Sequence, residues 1–349
     1  VSRVGDGLRE ERVVGRGRYG HEGNRSIWER DLDSRMPIPL SVESISVGGV
    51  TVGSDLLGWL VLAAFLAGAL LDVGNRRDVA RYAYAGAWAL FAAFWGVVAP
   101  HFLFTKASAV EGVLAIVAVP ACLYTGYLLW NGREGLYTLS RAVFLMGVIY
   151  YPTQAIASVR KALIEFTADQ TYWGIQLLGY DPAYTTGPEF GYQNMFVFSE
   201  FATYIVYACT GIGSIAIFAG LIAAVDAPFR RKLKSFALAV GVIWVLNLIR
   251  NVFVAVAAGK GWFQQGFVLE FAALAGIEAS HASFWFAHNV LSQTASVFAL
   301  VGITWLVVQE LPEMLGVLEE VLFVVTGSEY DLESALDVED PAVRADGGE

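Results

Sequence analysis

The sequence predicts an all-α polytopic membrane protein: a bundle of about seven transmembrane helices, with the N-terminus outside and the C-terminus in the cytoplasm. Three observations carry that prediction. Of 349 residues, 56% are apolar and only 16% charged, and the mean hydropathy of +0.53 marks lipid rather than water as the solvent. The apolar residues fall in long blocks with few or no charges, among them Leu56 to Leu71, Tyr82 to Ala99, Val110 to Trp130 and Ile212 to Val225. Such blocks approach the roughly 20 residues a helix needs to cross a bilayer. The third observation is an unequal distribution of basic residues over the loops between the blocks.

Residues 1–35 are polar and rich in Arg and Gly, with no apolar core, so they do not form a signal peptide. No Lys or Arg occurs between Met36 and Asn75, and 1–35 reads as an over-extended gene start or a disordered segment. Spans are expected at about 54–72, 82–99, 109–130, 142–158, 202–225, 236–258 and 283–308. The loops after the first, third and fifth carry Arg76, Arg77, Arg81, Arg133, Arg141, Arg230, Arg231, Lys232 and Lys234, nine positive charges. The opposite loops carry four, Lys106, Arg160, Lys161 and Lys260. The richer set faces the cytoplasm by the positive-inside rule.

On the outer side, 159–201 reads as a long loop rich in aromatic and turn-forming residues, and 260–282 as a mildly apolar loop suited to the headgroup region. On the inner side, 311–325 mixes acids with Leu and Val. It is expected as an interfacial helix, because Glu313, Glu319 and Glu320 are costly in lipid. The chain thus divides into 1–35, a membrane domain over 36–308 and an acidic cytoplasmic tail over 309–349. That tail holds twelve acids against Arg344 and nets -11, leaving the rest of the chain near neutral. An acidic, well-hydrated surface suits a cytosol of high salt, as in a halophile.

Ionisable groups inside a span are costly and are functional candidates by default. Three stand out: Cys209 in Tyr207-Ala208-Cys209-Thr210-Gly211, Arg250 in Asn247-Leu248-Ile249-Arg250-Asn251, and His288 in Phe286-Ala287-His288-Asn289. At 1.5 Å per residue they lie roughly 24, 22 and 30 Å above the inner ends of their expected spans, so all three reach the outer leaflet. A thiol, a guanidinium and an imidazole together make a nucleophilic site. The cation favours a thiolate or oxyanion and the imidazole carries a proton. Asn247 and Asn251, four apart beside Arg250, are placed to orient it or to bind substrate backbone. Gly211 and Gly213 leave room beside the thiol for a peptide. Each group alone has a plainer reading, Cys as apolar filler, Arg reaching headgroups, His bonded to a neighbouring helix.

Other chemistries fit less well. Ser214 with His288 would make an intramembrane serine protease, but Ser214 lies roughly 7 Å deeper than Cys209. A transporter or receptor binding an anion through Arg250 and the asparagines would call for inverted repeats and broken helices, which the sequence does not display. There is no His-Glu-x-x-His, no Cys-x-x-Cys and no lysine in the last span, so no metal, zinc ribbon or retinal is expected, and no cofactor. Of the two cysteines, Cys122 reads as filler.

With these residues in order, the chain resembles the exosortase/archaeosortase family, and its haloarchaeal members most closely. The resemblance rests on Ala-Cys-Thr-Gly at 208–211, Arg-Asn at 250–251 and His-Asn at 288–289, and covers most of 36–308. It implies a transpeptidase for exported proteins with a C-terminal sorting signal: a Pro-Gly-Phe motif, a hydrophobic helix and a basic end. Cys209 would form a thioester, with Arg250 steadying the oxyanion or thiolate and His288 handling protons. Asn289 would join Asn247 and Asn251 in binding substrate. A lipid-linked amine in the bilayer would resolve the thioester, the surface-layer glycoprotein being the expected client. Nucleic acid has no part in it.

Overall fold

A computed structural model describes residues 44–47, 50–100, 109–188, 191–199 and 201–336; the expected segment 1–35 and the end of the acidic tail, 337–349, lie outside them. The first three apolar blocks form helices α1 (Ser54–Val73), α2 (Arg77–Pro100) and α3 (Ala109–Trp130), preceded by a small antiparallel ribbon of β1 (Ser44–Val47) and β2 (Val50–Gly53). A helix bonds its backbone within the segment, which is what an apolar stretch in lipid requires.

Helix α4 (Leu136–Ala155) breaks at Ile156, which is extended at φ −84 and ψ 109, and α5 (Ala157–Leu177) leaves at 89° to it. The expected loop over 159–201 is therefore mostly ordered structure. Arg160, Lys161, Glu165 and Asp169 make α5 too polar to register as a span, yet it buries a helical stripe of Ile164, Ala168 and Ile175. That stripe meets a three-stranded antiparallel sheet, β3 (Ala183–Thr186), β4 (Gln193–Val197) and β5 (Ala202–Tyr204), in the order β3-β4-β5. Tyr172 of α5 stacks on Tyr184 at 4.8 Å, and Tyr184 on Phe196 at 5.5 Å.

The span expected over 202–225 is a second difference. Its first part is β5 followed by a 3-10 turn, Tyr207–Thr210, and only α6 (Ile212–Ala224) is α-helical. Thirteen residues rise roughly 20 Å, short of a hydrocarbon core of about 30 Å. Beyond it come α7 (Phe229–Gly259), α8 (Gly266–Leu274), α9 (Ala282–Trp285), a π-helical segment Phe286–Ser292, and α10 (Gln293–Glu310). Short helices α11 (Met314–Thr326) and α12 (Leu332–Leu336) follow, α11 taking up most of the expected interfacial segment. Among the described residues five helical stretches, α1, α2, α3, α7 and Ala279–Glu310, are long and apolar enough to cross a membrane, or six if α4 and α5 count as one bent span. The expected seven included α6, which is too short.

Among the described residues two larger cores, and a small cluster of Val254, Ala257 and Ala287, hold these elements. The larger joins the long helices through Phe65, Tyr84, Leu129, Leu136, Phe218 and Leu315, each almost wholly buried. Close approach matters there: a Cβ on Gly220 of α6 would lie 2.6 Å from the Ala142 carbonyl of α4. The smaller core lies between α5, the sheet and α7, around Phe196, Phe198 and Val256, and Cys209 packs at its margin. At the other end, α11 and the residues flanking it are tied to basic turns. Arg133 pairs with Glu320 at 2.6 Å and Glu329 at 2.9 Å, Arg231 with Glu313 at 2.8 Å, and Lys234 with Glu310 at 2.6 Å.

Candidate active site

The site is assembled on a turn. Leaving β5, the chain makes the 3-10 turn Tyr207–Thr210, with Cys209 N–H donating to the Val206 carbonyl at 2.8 Å and Thr210 Oγ1 donating to the Tyr207 carbonyl at 2.7 Å. Gly211 ends it at φ +75, a left-handed conformation that favours glycine, and a Cβ there would also press on Asn247 at 3.2 Å. Tyr207 fastens the turn to the end of α4. Its hydroxyl shares a 2.7 Å hydrogen bond with Thr153 Oγ1 and donates to the Tyr150 carbonyl at 3.2 Å.

From the other side α7 holds the same turn. The side-chain amides of Asn247 and Asn251, one helical turn apart, both donate through Nδ2 to the Cys209 carbonyl, at 2.8 and 2.9 Å. These asparagines, expected to orient Arg250 or bind substrate, thus each give one amide N–H to the Cys209 carbonyl. Arg250 lies between them in sequence and reaches His288 instead, Nη2 to Nδ1 at 3.4 Å. A guanidinium only donates, so Nδ1 is the acceptor and the ring proton sits on Nε2. Arg250 Nε is buried with no hydrogen-bond partner, and among the described residues no carboxylate pairs with this arginine.

The guanidinium lies within electrostatic reach of both the Cys209 sulfur and the His288 ring. His288 stacks on Phe284 at 5.2 Å and belongs to the π-helical segment, a distortion that often marks functional positions. Cys209 is half-buried as a residue and is a free cysteine. Beside the turn opens a cavity of about 530 Å³, whose wall includes Tyr207, Gly211, Ser214, Asn247, Arg250 and Ser292 but neither Cys209 nor His288. Those two groups stand next to the cavity rather than in its wall.

Of the residues expected from sequence, the structure joins Cys209 and Gly211 to Asn247 and Asn251, and Arg250 to His288. Asn289 is exposed and makes no hydrogen bond to the cluster. Gly213 is in the cavity wall, but a Cβ there would meet only Tyr150, at an ordinary 3.7 Å. Ser214 also faces the cavity and has no hydrogen bond to His288. Sequence reasoning missed Tyr150, Thr153 and Tyr207, which anchor the turn. Their signal was slight: a Tyr-Tyr-Pro-Thr run closing one apolar block and a tyrosine two residues before the cysteine.

The family model for the transmembrane exosortases matches residues 53–277. Archaeosortase A of Haloferax volcanii is 46% identical over 298 residues, covering 81% of this chain and 97% of that protein. Archaeosortase A of Natronomonas pharaonis is 44% identical over 292 residues, covering 81% of this chain and 93% of that protein. No solved structure matches the chain. A family match over more than half the sequence, together with relatives this similar over most of their length, means that the chain belongs to the exosortase/archaeosortase family of transmembrane proteins.

Proposed function

We propose that this chain is a membrane-embedded cysteine transpeptidase that removes a C-terminal sorting signal of the Pro-Gly-Phe type from exported proteins and passes the new C-terminus to a polar lipid. The observation that supports it best is the use of one stretch of α7 for two tasks: Asn247 and Asn251 hold the Cys209 carbonyl while Arg250 hydrogen-bonds His288. The names of the two relatives point the same way.

In this reading the Nδ1 lone pair of His288 is the proton acceptor, and it is occupied by Arg250 at rest. Transfer of the Cys209 thiol proton to Nδ1 therefore displaces the guanidinium, and Arg250 becomes free to face the charge that develops next. Cys209 Sγ attacks the carbonyl carbon at the sorting motif, and the oxyanion is met by Arg250 donors, Nε among them. Collapse breaks the C–N bond, the leaving amine takes the proton from His288, and a thioester remains on Cys209. A lipid amine then attacks the thioester carbonyl and passes its proton to His288, which returns it to the departing thiolate. No metal or cofactor enters.

The nine-to-four asymmetry of basic residues supports an N-terminus outside, an acidic tail in the cytoplasm and a site on the extracytoplasmic side of the cell membrane. A client whose folded part is already outside, such as a surface-layer glycoprotein, meets the site there. One observation favours a serine reading, the position of Ser214 in the cavity wall, but no base is hydrogen-bonded to it. Cells carrying Cys209→Ala should retain the C-terminal segment on their surface proteins, whereas Cys122→Ala and Ser214→Ala should process them. Retention with Ser214→Ala and processing with Cys209→Ala would reverse the assignment.

A further inference from the structure

Helix α5 leaves α4 at 89°, so it runs across the direction of a helix that packs among the spans in the larger core. At about 100° per residue its side chains sort into three faces. Ile164, Ala168, Thr171 and Ile175 lie within about 60° of one another and are buried, on the sheet and α7. Lys161, Glu165, Asp169 and Gln176 fill the next sector, about 80° wide, where Lys161 pairs with Glu165 at 3.7 Å and Asp169 accepts from the Tyr184 hydroxyl at 2.8 Å. The third face is apolar and uncovered. Val159, Phe166, Trp173 and Leu177 fall within about 40° of one another, and the last three are 59%, 58% and 65% exposed. Gln170, at the border of that face, accepts from Trp244 Nε1 at 2.8 Å. Trp244, Val245 and Ile249 in turn form an exposed flank of α7, a helix apolar enough to cross a membrane. Gly174 packs on Val252 so closely that a Cβ would not fit. Helix α5 therefore crosses α7 between Trp244 and Val252, the stretch whose Asn247 and Asn251 hold the Cys209 carbonyl.

We infer that α5 is a membrane-surface helix: its stripe of Val159, Phe166, Trp173 and Leu177 is seated in the boundary layer of the bilayer, its charged face meets water, and its third face carries the sheet. The charges of Lys161, Glu165 and Asp169 forbid immersion of the whole helix in hydrocarbon. An apolar sector beside a charged one is what an interfacial helix presents, with the apolar side sunk about 5–10 Å into the headgroup and acyl boundary. Trp173 and Trp244, amphipathic rings on neighbouring helices, suit that level. The flank of α7 decides the occupant. The exposed apolar side of a spanning helix has lipid for its neighbour, and the stripe on α5 is continuous with it. Because α5 crosses α7 at the two turns that grip Cys209, its seat sets the cysteine turn at the level of the headgroups. This placement holds whichever residue is the nucleophile.

Nitroxide accessibility reads the faces directly. Single labels go on Phe166→Cys, Leu177→Cys, Lys161→Cys and Gln176→Cys in full-length protein carrying Cys122→Ala and Cys209→Ala, reconstituted in phosphatidylcholine vesicles. Collisions with oxygen should prevail over collisions with a water-soluble nickel chelate at 166 and 177, with the ratio inverted at 161 and 176. Equal chelate access at all four positions overturns the proposal, because α5 would then stand clear of the bilayer. Exclusion of both reagents at 166 and 177 overturns it too, since a second copy of the chain or another protein would cover the face. Depth is read in protein that keeps both cysteines. The fluorescence lost in Trp173→Phe should be quenched more by lipid brominated near the headgroup end of its chains than by lipid brominated near the methyl end. No quenching, or the reverse order, overturns the seat at the boundary. None of these readouts involves processing, so the cysteine assignment and the seat of α5 fall separately.

Discussion

Arg231 and Arg250 stand at the two ends of the same helix, and their surroundings are opposite. Arg231 is saturated: Nη1 and Nη2 fork onto Glu313 at 2.8 and 3.0 Å, while Nε and Nη2 donate to the Glu310 carbonyl at 3.1 and 3.0 Å. Arg250 has one long bond to an imidazole and a buried Nε with no partner. The same guanidinium fastens structure at one end and is left available at the other. In the transpeptidase reading proposed above, that donor is the one left for the substrate; Arg81 and Arg141, outside the cluster, also carry a buried Nε without a hydrogen-bond partner.

That contrast can be broken by substitution. The largest expected effect is at the idle end. Arg250→Ala should reduce processing by about 10²- to 10³-fold, the usual cost of losing an oxyanion donor, with little change in thermal midpoint. Arg231→Ala should do the reverse, lowering stability by about 1 kcal/mol with processing per folded molecule unchanged. A matched loss of stability in both variants would remove the distinction.

A second pair of variants sharpens it within the site. Asn251 is 5% exposed, and Asn251→Ala leaves the Cys209 carbonyl with a single partner. The expected result is a fall in the rate of thioester formation of about tenfold, without loss of substrate binding. A fall in binding alone would restore the substrate-binding role expected from sequence. Gly211→Ala should cost about 1–2 kcal/mol through its left-handed backbone, with Cys209 alkylation altered because the turn must shift against Asn247.

The smallest effect belongs to the saturated end and depends on pH. Hydrogen bonds from Arg133 hold the Glu329 carboxyl below its ordinary value. A depressed carboxyl stabilises the folded state above the unfolded pKa, and that stabilisation is lost as pH falls through the ordinary carboxylate range and then the folded value. Amide exchange in α11, corrected for its intrinsic pH dependence, should therefore quicken on acidification. Glu329→Gln should flatten that response and leave processing untouched.

How far the sequence foretold these ends depends on the kind of signal each one carries. Apolar blocks announce themselves, and α3 occupies the same residues, 109–130, that its block marks out. The segment after Ile156 was opaque for the opposite reason: α5 carries Arg160, Lys161, Glu165 and Asp169 and packs one stripe on a sheet, so a span-length reading sees only a loop. The shortness of α6 was hidden because β5 and the cysteine turn are apolar too, and hydropathy does not separate an extended strand from a helix. At the site, the residue types of Cys209, Arg250 and His288 were visible as costly groups at matched depth. The roles of Asn247 and Asn251 were not, since an amide that grips a neighbouring turn looks in sequence like one that grips a ligand. Nor does any residue pattern foretell the π-helical segment that carries His288.

The ion pairs around α11 have a consequence in the order of synthesis. Glu310, Glu313, Glu320 and Glu329 leave the ribosome after Arg133, Arg231 and Lys234, the bases they neutralise. While the spans are being threaded, those cations are bare and able to bias which way each helix lies. Once the last helices arrive, the charge on these three is cancelled from within. A label that would direct the nascent chain under the positive-inside rule is thereby erased at these three positions in the finished one.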